Sequence, residues 1–296
     1  MDMRHYVTPE IVAKLSRFDL IARLVVEGFI AGLHRSPYHG FSVEFAEHRQ
    51  YMPGDPVKDL DWKIYARSDR LYVKEYEEET NLKAYLLIDS SRSMAFGSQE
   101  VTKFLYVRCL AAALSYLMIR QRDAVGMVLF DTAIRSYIPP RSVGSHLNVL
   151  LTALQHATPG ERTDLGRSFH DIAERIKRRG LIVVLSDLLD NPEDLMAGLR
   201  HLRHRHHEVI VFHVLDPRER DLHYEQPYRF KDMEGDLSIT TDPSYLRSRY
   251  RAAMDELSDT YRRACREAMI DYVPLDTAVP FDTALFRYLS TRKRLG

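Results

Sequence analysis

Four uninterrupted apolar runs constrain this chain most: "KAYLLID" (83–89), "AVGMVLF" (124–130), "GLIVVLSD" (180–187) and "EVIVFHVLD" (208–216). A strand with one wet face alternates apolar and polar residues, whereas a run apolar at both parities is covered on both faces. Helical patterns lie between the runs at 100–120, 143–157 and 165–178, and "IRSYIPP" (134–140) reads as a further strand. Strand and helix in alternation build a doubly wound, mostly parallel α/β sheet. A hairpin around "MEGDLSIT" follows, then a long helix opened by Asp242 and Pro243, then a last helix near 281–292. In the long helix Leu246, Tyr250, Ala253, Leu257, Tyr261, Ala264 and Ala268 hold one face.

Upstream the texture changes. From Thr8 to Leu33 the apolar residues Ile11, Val12, Leu15, Leu20, Ile21, Leu24 and Val25 recur at helical spacing, which predicts two short helices. Aromatic and β-branched residues then alternate with the turn signals "SPYHG", "MPGDP" and "RSDR", as in strands joined by turns. The expected organisation is N-terminal helices over 1–34, a small β module over 35–80, and an α/β domain with C-terminal helices over 81–296. Fewer than about fifty residues give the β module a poor core of its own. It is therefore expected to dock on the sheet domain and to stay attached under limited proteolysis. Trp62, the only tryptophan, reads as its packing anchor.

Composition excludes several functions. Lysine plus arginine (42) balance aspartate plus glutamate (42), so no global charge argues for nucleic acid or for a membrane surface. Cys109 and Cys265 lie in helix-like sequence without a neighbouring thiol, which argues against a disulfide framework or a zinc site and for a reducing compartment. No stretch of about 18 apolar residues runs free of charges, and the N-terminus lacks a signal-peptide pattern. The expectation is a cytoplasmic protein without membrane insertion.

Open α/β sheets bind ligands at the carboxyl ends of their strands. Asp89, Ser91 and Ser93 follow the first apolar run, Asp187 follows the third, and Thr163 precedes the helix near 165. All are hard oxygen donors, suited to magnesium or manganese at about 2.1 Å for magnesium, and not to zinc or copper. Residues at i, i+2 and i+4 in a turn leaving a strand can converge on one point. The strand end is expected to face solvent, so that Asp89→Ala removes the ion and spares the fold. A dehalogenase-like phosphatase needs a second carboxylate two positions after its aspartate, and here that position is Ser91. No P-loop and no G-x-S-x-G elbow occurs. The alternative function, a magnesium-dependent phosphohydrolase using Asp89, therefore ranks second to a non-enzymatic role. The histidines of "RHLRHRHHEV" (200–209) alternate with Arg200, Arg203 and Arg205, whose charge opposes a metal, and the run reads as a solvated helix end.

These residues carry a family resemblance. Asp89, Ser91 and Ser93 resemble the D-x-S-x-S of the von Willebrand factor A domain, with Thr163 and Asp187 matching its second and third loops, which together form a metal-ion-dependent adhesion site. "RQYMPGDPVKDLDWKIYARSDRLYVKEYEEE" resembles the motif of the family called domain of unknown function 58, whose members accompany MoxR-type AAA+ ATPases. The resemblance implies Ser91, Ser93 and Thr163 as direct ligands of a weakly bound magnesium or manganese ion, with Asp89 and Asp187 reaching it directly or through water. It further implies a protein-interaction module whose partners are a MoxR-type ATPase and a client bearing an acidic residue, acting in maturation or complex assembly.

Overall fold

The computed structural model describes residues 9, 17–33, 48–50, 72–74, 82–160, 164–224, 226–235 and 237–295. Helix α1 (Phe18–Leu33) and a short antiparallel pair, β1 (His48–Gln50) with β2 (Tyr72–Lys74), precede the main sheet. The chain continues through β3 (Lys83–Asp89), α2 (Lys103–Arg120), β4 (Ala124–Phe130), β5 (Ile134–Arg141), α3 (Ser145–His156) and α4 (Leu165–Arg175). It goes on with β6 (Leu181–Ser186), α5 (Pro192–His204), β7 (Glu208–Leu215), α6 (Pro217–Asp221), β8 (Tyr228–Lys231) and β9 (Ser238–Thr241). The last elements are α7 (Pro243–Glu267), β10 (Asp271–Asp276) and α8 (Asp282–Leu295).

All four apolar runs are strands of one sheet, whose order is β10-β7-β6-β3-β4-β5. Every neighbouring pair is parallel except β4 with β5. The chain moves outward from β3 through β4 to β5, then returns to the other side of β3 as β6. The carboxyl ends of β3 and β6 therefore meet at the switch point, where diverging loops leave a crevice.

Alternate residues of each strand feed two cores. Ala84, Leu86 and Ile88 pack with α1, α2, α3 and α8, whereas Tyr85 and Leu87 pack with α4, α5 and α7. Helix α2 is buried along most of its length because the sheet covers one side and α1 packs on it from outside. Double coverage explains a helix apolar nearly all round. No helix among the described residues is long and apolar enough to cross a membrane.

Four sequence expectations meet the structure differently. Strand β10, "DYVPLD", was not read from the sequence, because Pro274 interrupts a short run. Its place at a sheet edge accommodates that proline, as the opposite edge, β5, accommodates Pro139 and Pro140. The expected apolar face of α7 is buried only toward its carboxyl half. Leu257, Tyr261, Ala264 and Ala268 join the core, while Leu246 is 41% exposed and Ala253 is exposed, since the helix runs past the sheet at its start. Of the two N-terminal helices only α1 falls substantially among the described residues. Of the β module over 35–80, the β1–β2 pair is described, while Trp62 lies outside the described residues.

Candidate functional site

The strand β3 ends at a residue with no solvent exposure. Asp89 accepts hydrogen bonds from the Ser91 amide at Oδ1 (2.8 Å) and from the Ser186 hydroxyl at Oδ2 (2.6 Å). The expected solvent-facing position is thus corrected: helices on both faces of the sheet enclose the strand end. Past Asp89 the chain turns into a single 3-10 turn, Arg92–Ala95, which brings the Ser91 and Ser93 hydroxyls to 3.0 Å from each other. That separation suits a hydrogen bond, and it also equals the edge of an octahedron with oxygen ligands at about 2.1 Å. Glu234, from the turn between β8 and β9, accepts the Ser93 amide at 3.2 Å.

Asp187 follows β6 and is also fully buried. It is held by its surroundings: Leu188 takes a φ of 54°, a left-handed conformation costing a leucine about 1–2 kcal/mol. Two hydrogen bonds fix that turn, from the Leu188 amide to Ser186 Oγ (2.9 Å) and from the Tyr261 hydroxyl to the Leu188 carbonyl (3.0 Å). Asp187 Oδ2 accepts from Lys103 Nζ at 2.7 Å, and Lys103 also donates to Glu219 Oε1 at 2.6 Å. Lys103 was missed in the sequence, although a lysine in the first turn of an apolar helix, where the dipole disfavours it, is a legible signal. Ser186 was missed too, though it stands beside Asp187 at the same strand end.

Charge in this crevice is unbalanced. The Asp89 carboxyl is pushed up to about 7, by burial first and by the Asp187 charge second, against the hydrogen bonds from Ser186 and Ser91. Burial lowers the Lys103 ammonium, but Asp187 and Glu219 more than offset it, so its pKa is raised. Burial raises Glu219 despite Lys103.

Thr163 lies outside the described residues, which resume at Asp164 after Gly160. The Gly160 amide donates to the Ser90 carbonyl at 2.5 Å, and Asp164 caps α4 by accepting from the Arg167 amide at 3.1 Å. Gly160 thus lies beside the β3 loop, and the Leu165 amide at the start of α4 donates to Asp190 in the loop after β6. A cavity of about 960 Å³ lies elsewhere, at the amino ends of β6, β7 and β10, and is lined by Lys177, Arg179, Arg200, Arg203 and Arg205 among others. The histidine run contributes to it only in part. His204 and His206 are exposed, as expected of a helix end, but His207 is fully buried and His201 bonds His170 at 2.7 Å.

Fold and site together define a mixed α/β protein with a mostly parallel sheet and an oxygen-donor crevice at its switch point. Residues 47–260 match the family described as protein of unknown function DUF58, and the chain belongs to that family. The uncharacterized protein Rv1480 of Mycobacterium tuberculosis is 28% identical over 293 residues, 97% of this chain and 91% of its own length. The uncharacterized protein YeaD of Bacillus subtilis is 42% identical over 62 residues, 21% of this chain and 16% of its own. Among solved structures, an aerotolerance-related membrane protein from Bacteroides fragilis is similar with a TM-score of 0.50 at 16% identity, covering 71% of this chain and 99% of that one. The conserved hypothetical protein BatB from Bacteroides thetaiotaomicron gives a TM-score of 0.47 at 15% identity, covering 72% of this chain and 99% of its own. At such identities the likeness concerns the fold alone.

Proposed function

We propose that this protein is a cation-dependent interaction module of von Willebrand factor A type, working beside a MoxR-type AAA+ ATPase on a client protein in the cytoplasm. The observation that carries the reading is the loop after β3. A fully buried Asp89 anchors it, and two serine hydroxyls converge within 3.0 Å at the switch point of the sheet. The donor chemistry fits a hard divalent ion. Ser91 and Ser93, with Thr163, would hold magnesium or manganese, and Asp89 would add charge from behind. Asp187 has Oδ2 engaged by Lys103 and Oδ1 by the Leu189 amide (3.2 Å), which favours action through water over direct ligation. Burial first and the Asp187 charge second raise Asp89, and a divalent cation beside the two carboxylates would favour its ionised form.

A bound ion would supply a position open to an external carboxylate. Neutral hydroxyls donate without cancelling its charge, so that position would attract an acidic residue. The test is calorimetry of the ATPase or client against this protein in magnesium and again in chelator. Binding should be lost in chelator, and Thr163→Ala should weaken ion and partner together. Ser91→Asp should strengthen the ion and weaken the partner, because a third carboxylate competes for the open position. Equal affinity in both buffers would move the contact surface elsewhere. The phosphohydrolase alternative finds less support, since a nucleophile must reach its substrate and Asp89 is fully buried and twice hydrogen-bonded. Turnover of a phosphate ester abolished by Asp89→Asn would reverse that ranking.

A further inference from the structure

The segment between β7 and α7 is fastened over the crevice at three points. Asp216 accepts the Ser98 amide (2.8 Å), Glu219 accepts Lys103 Nζ (2.6 Å), and Glu234 accepts the Ser93 amide (3.2 Å). The first two belong to α6 and its cap, where Asp216 and Glu219 form a reciprocal capping box. The third comes from the β8–β9 turn, which is shaped by the Glu234 amide donating to Asp232 Oδ1 (2.9 Å) and the Asp232 amide donating to the Leu237 carbonyl (2.9 Å). Tyr224, Tyr228 and Phe230 cluster at the base of this hairpin, with Arg218 of α6 over the Tyr224 ring at 5.3 Å. Otherwise the hairpin buries little: Leu237 is 76% exposed and Ile239 is 64% exposed. An element with so little apolar burial has low local stability and can open without the sheet unfolding.

Electrostatics sets the condition for its closure. Asp187 and Glu219 share the single Lys103, and Asp89 is buried at the neighbouring strand end, so Glu234 beside the serine pair adds a further carboxylate to a site short of positive charge, which a cation would supply. We propose that Glu234 is an internal ligand of the cation site, so that ion binding holds the β8–β9 hairpin closed over Ser91 and Ser93. This rests on the proposed cation site and adds to it a ligand from 141 residues further along the chain, one outside the three loops.

The test uses the full chain as wild type, Glu234→Gln and Asp89→Asn. Manganese affinity is read by titration, and amide exchange across residues 226–241 by mass spectrometry with magnesium or with chelator. In wild type, exchange of the hairpin should slow on adding magnesium. Glu234→Gln should weaken manganese by roughly tenfold, as removal of a supporting ligand does, and should abolish the slowing while the melting temperature in chelator stays unchanged. If manganese binds, is lost in Asp89→Asn, and is unaffected by Glu234→Gln with hairpin exchange unmoved by the ion, then the internal ligand is refuted and the cation site stands. If manganese binds none of the three, the cation site itself is wrong and the internal ligand falls with it.

Discussion

Lys103 sets the energetics of the crevice at the scale of one residue. Its ammonium has no solvent exposure and two carboxylate partners, so removing it strands a buried charge on Asp187. Breaking a buried pair from one side costs about 3–5 kcal/mol, more than the pair itself is worth. Lys103→Met is expected to lower the urea-unfolding free energy by about that much, and Lys103→Met with Asp187→Asn to recover part of it. A loss in the double variant equal to the sum of the losses in Lys103→Met and Asp187→Asn would show that the two groups are not coupled. Asp89 needs similar care: Asp89→Ala would leave the Ser186 hydroxyl and the Ser91 amide without their acceptor, at about 1–3 kcal/mol each, so Asp89→Asn is the cleaner probe of ion binding. The two thiols give a prediction with a defined sign. Burial raises both Cys109 and Cys265 to about 12 from an ordinary value near 9.0. Their contribution to stability is fully present below pH 9 and is lost as pH rises towards 12. At pH 8 each folded thiol holds about a thousandfold less thiolate than in the unfolded chain. Iodoacetamide should therefore modify neither in the native protein at that pH and both in concentrated urea.

Helices α4 and α5 touch through glycine. A side chain at Gly198 would put its Cβ 2.8 Å from the Phe169 Cβ and 3.0 Å from the Gly166 carbonyl, so neither helix can retreat without leaving the sheet. This close approach also brings the Leu165 amide to Asp190 Oδ2 at 2.6 Å, tying the start of α4 to the loop after β6. Gly198→Val is expected to separate the helices at a cost of about 1–3 kcal/mol, read from denaturant unfolding. Because α4 begins just after Thr163, the same variant should weaken manganese as well. Unchanged affinity would mean that this loop is positioned by something other than the helix. Helix α2 shows how far an element can be read from sequence. Its span was expected over 100–120 and begins instead at Lys103, because the Thr102 hydroxyl accepts the Leu105 amide and sets the cap.

For the whole molecule, ion binding and folding are linked. A ligand that binds only the native state stabilises it by RT ln(1 + [L]/Kd), about 1.4 kcal/mol at ten times its dissociation constant. Magnesium at that excess should raise the melting temperature of wild type, and Asp89→Asn should abolish the rise. A rise of equal size in the variant would assign the effect to ions bound elsewhere. The sheet gives such coupling a physical basis, since Asp89 and Asp187 stand at the ends of the central strands β3 and β6.

What the sequence determined by itself is the layered α/β sheet and the strand ends that carry Asp89, Ser91, Ser93 and Asp187. Apolar runs at both parities require cover on both faces, and strand ends follow from where those runs stop. Only the tertiary structure decided the rest. Strand β10 exists because a sheet edge admits Pro274; Lys103 finds Asp187 across 84 residues, and Glu234 finds Ser93 across 141. Such pairings depend on which loops the strand order brings together, and local periodicity holds no information about that order. The burial of Asp89 has the same origin. A carboxylate at a strand end reads as solvent-facing until the helices on both faces of the sheet enclose it, and its raised pKa follows first from that burial and then from the Asp187 charge.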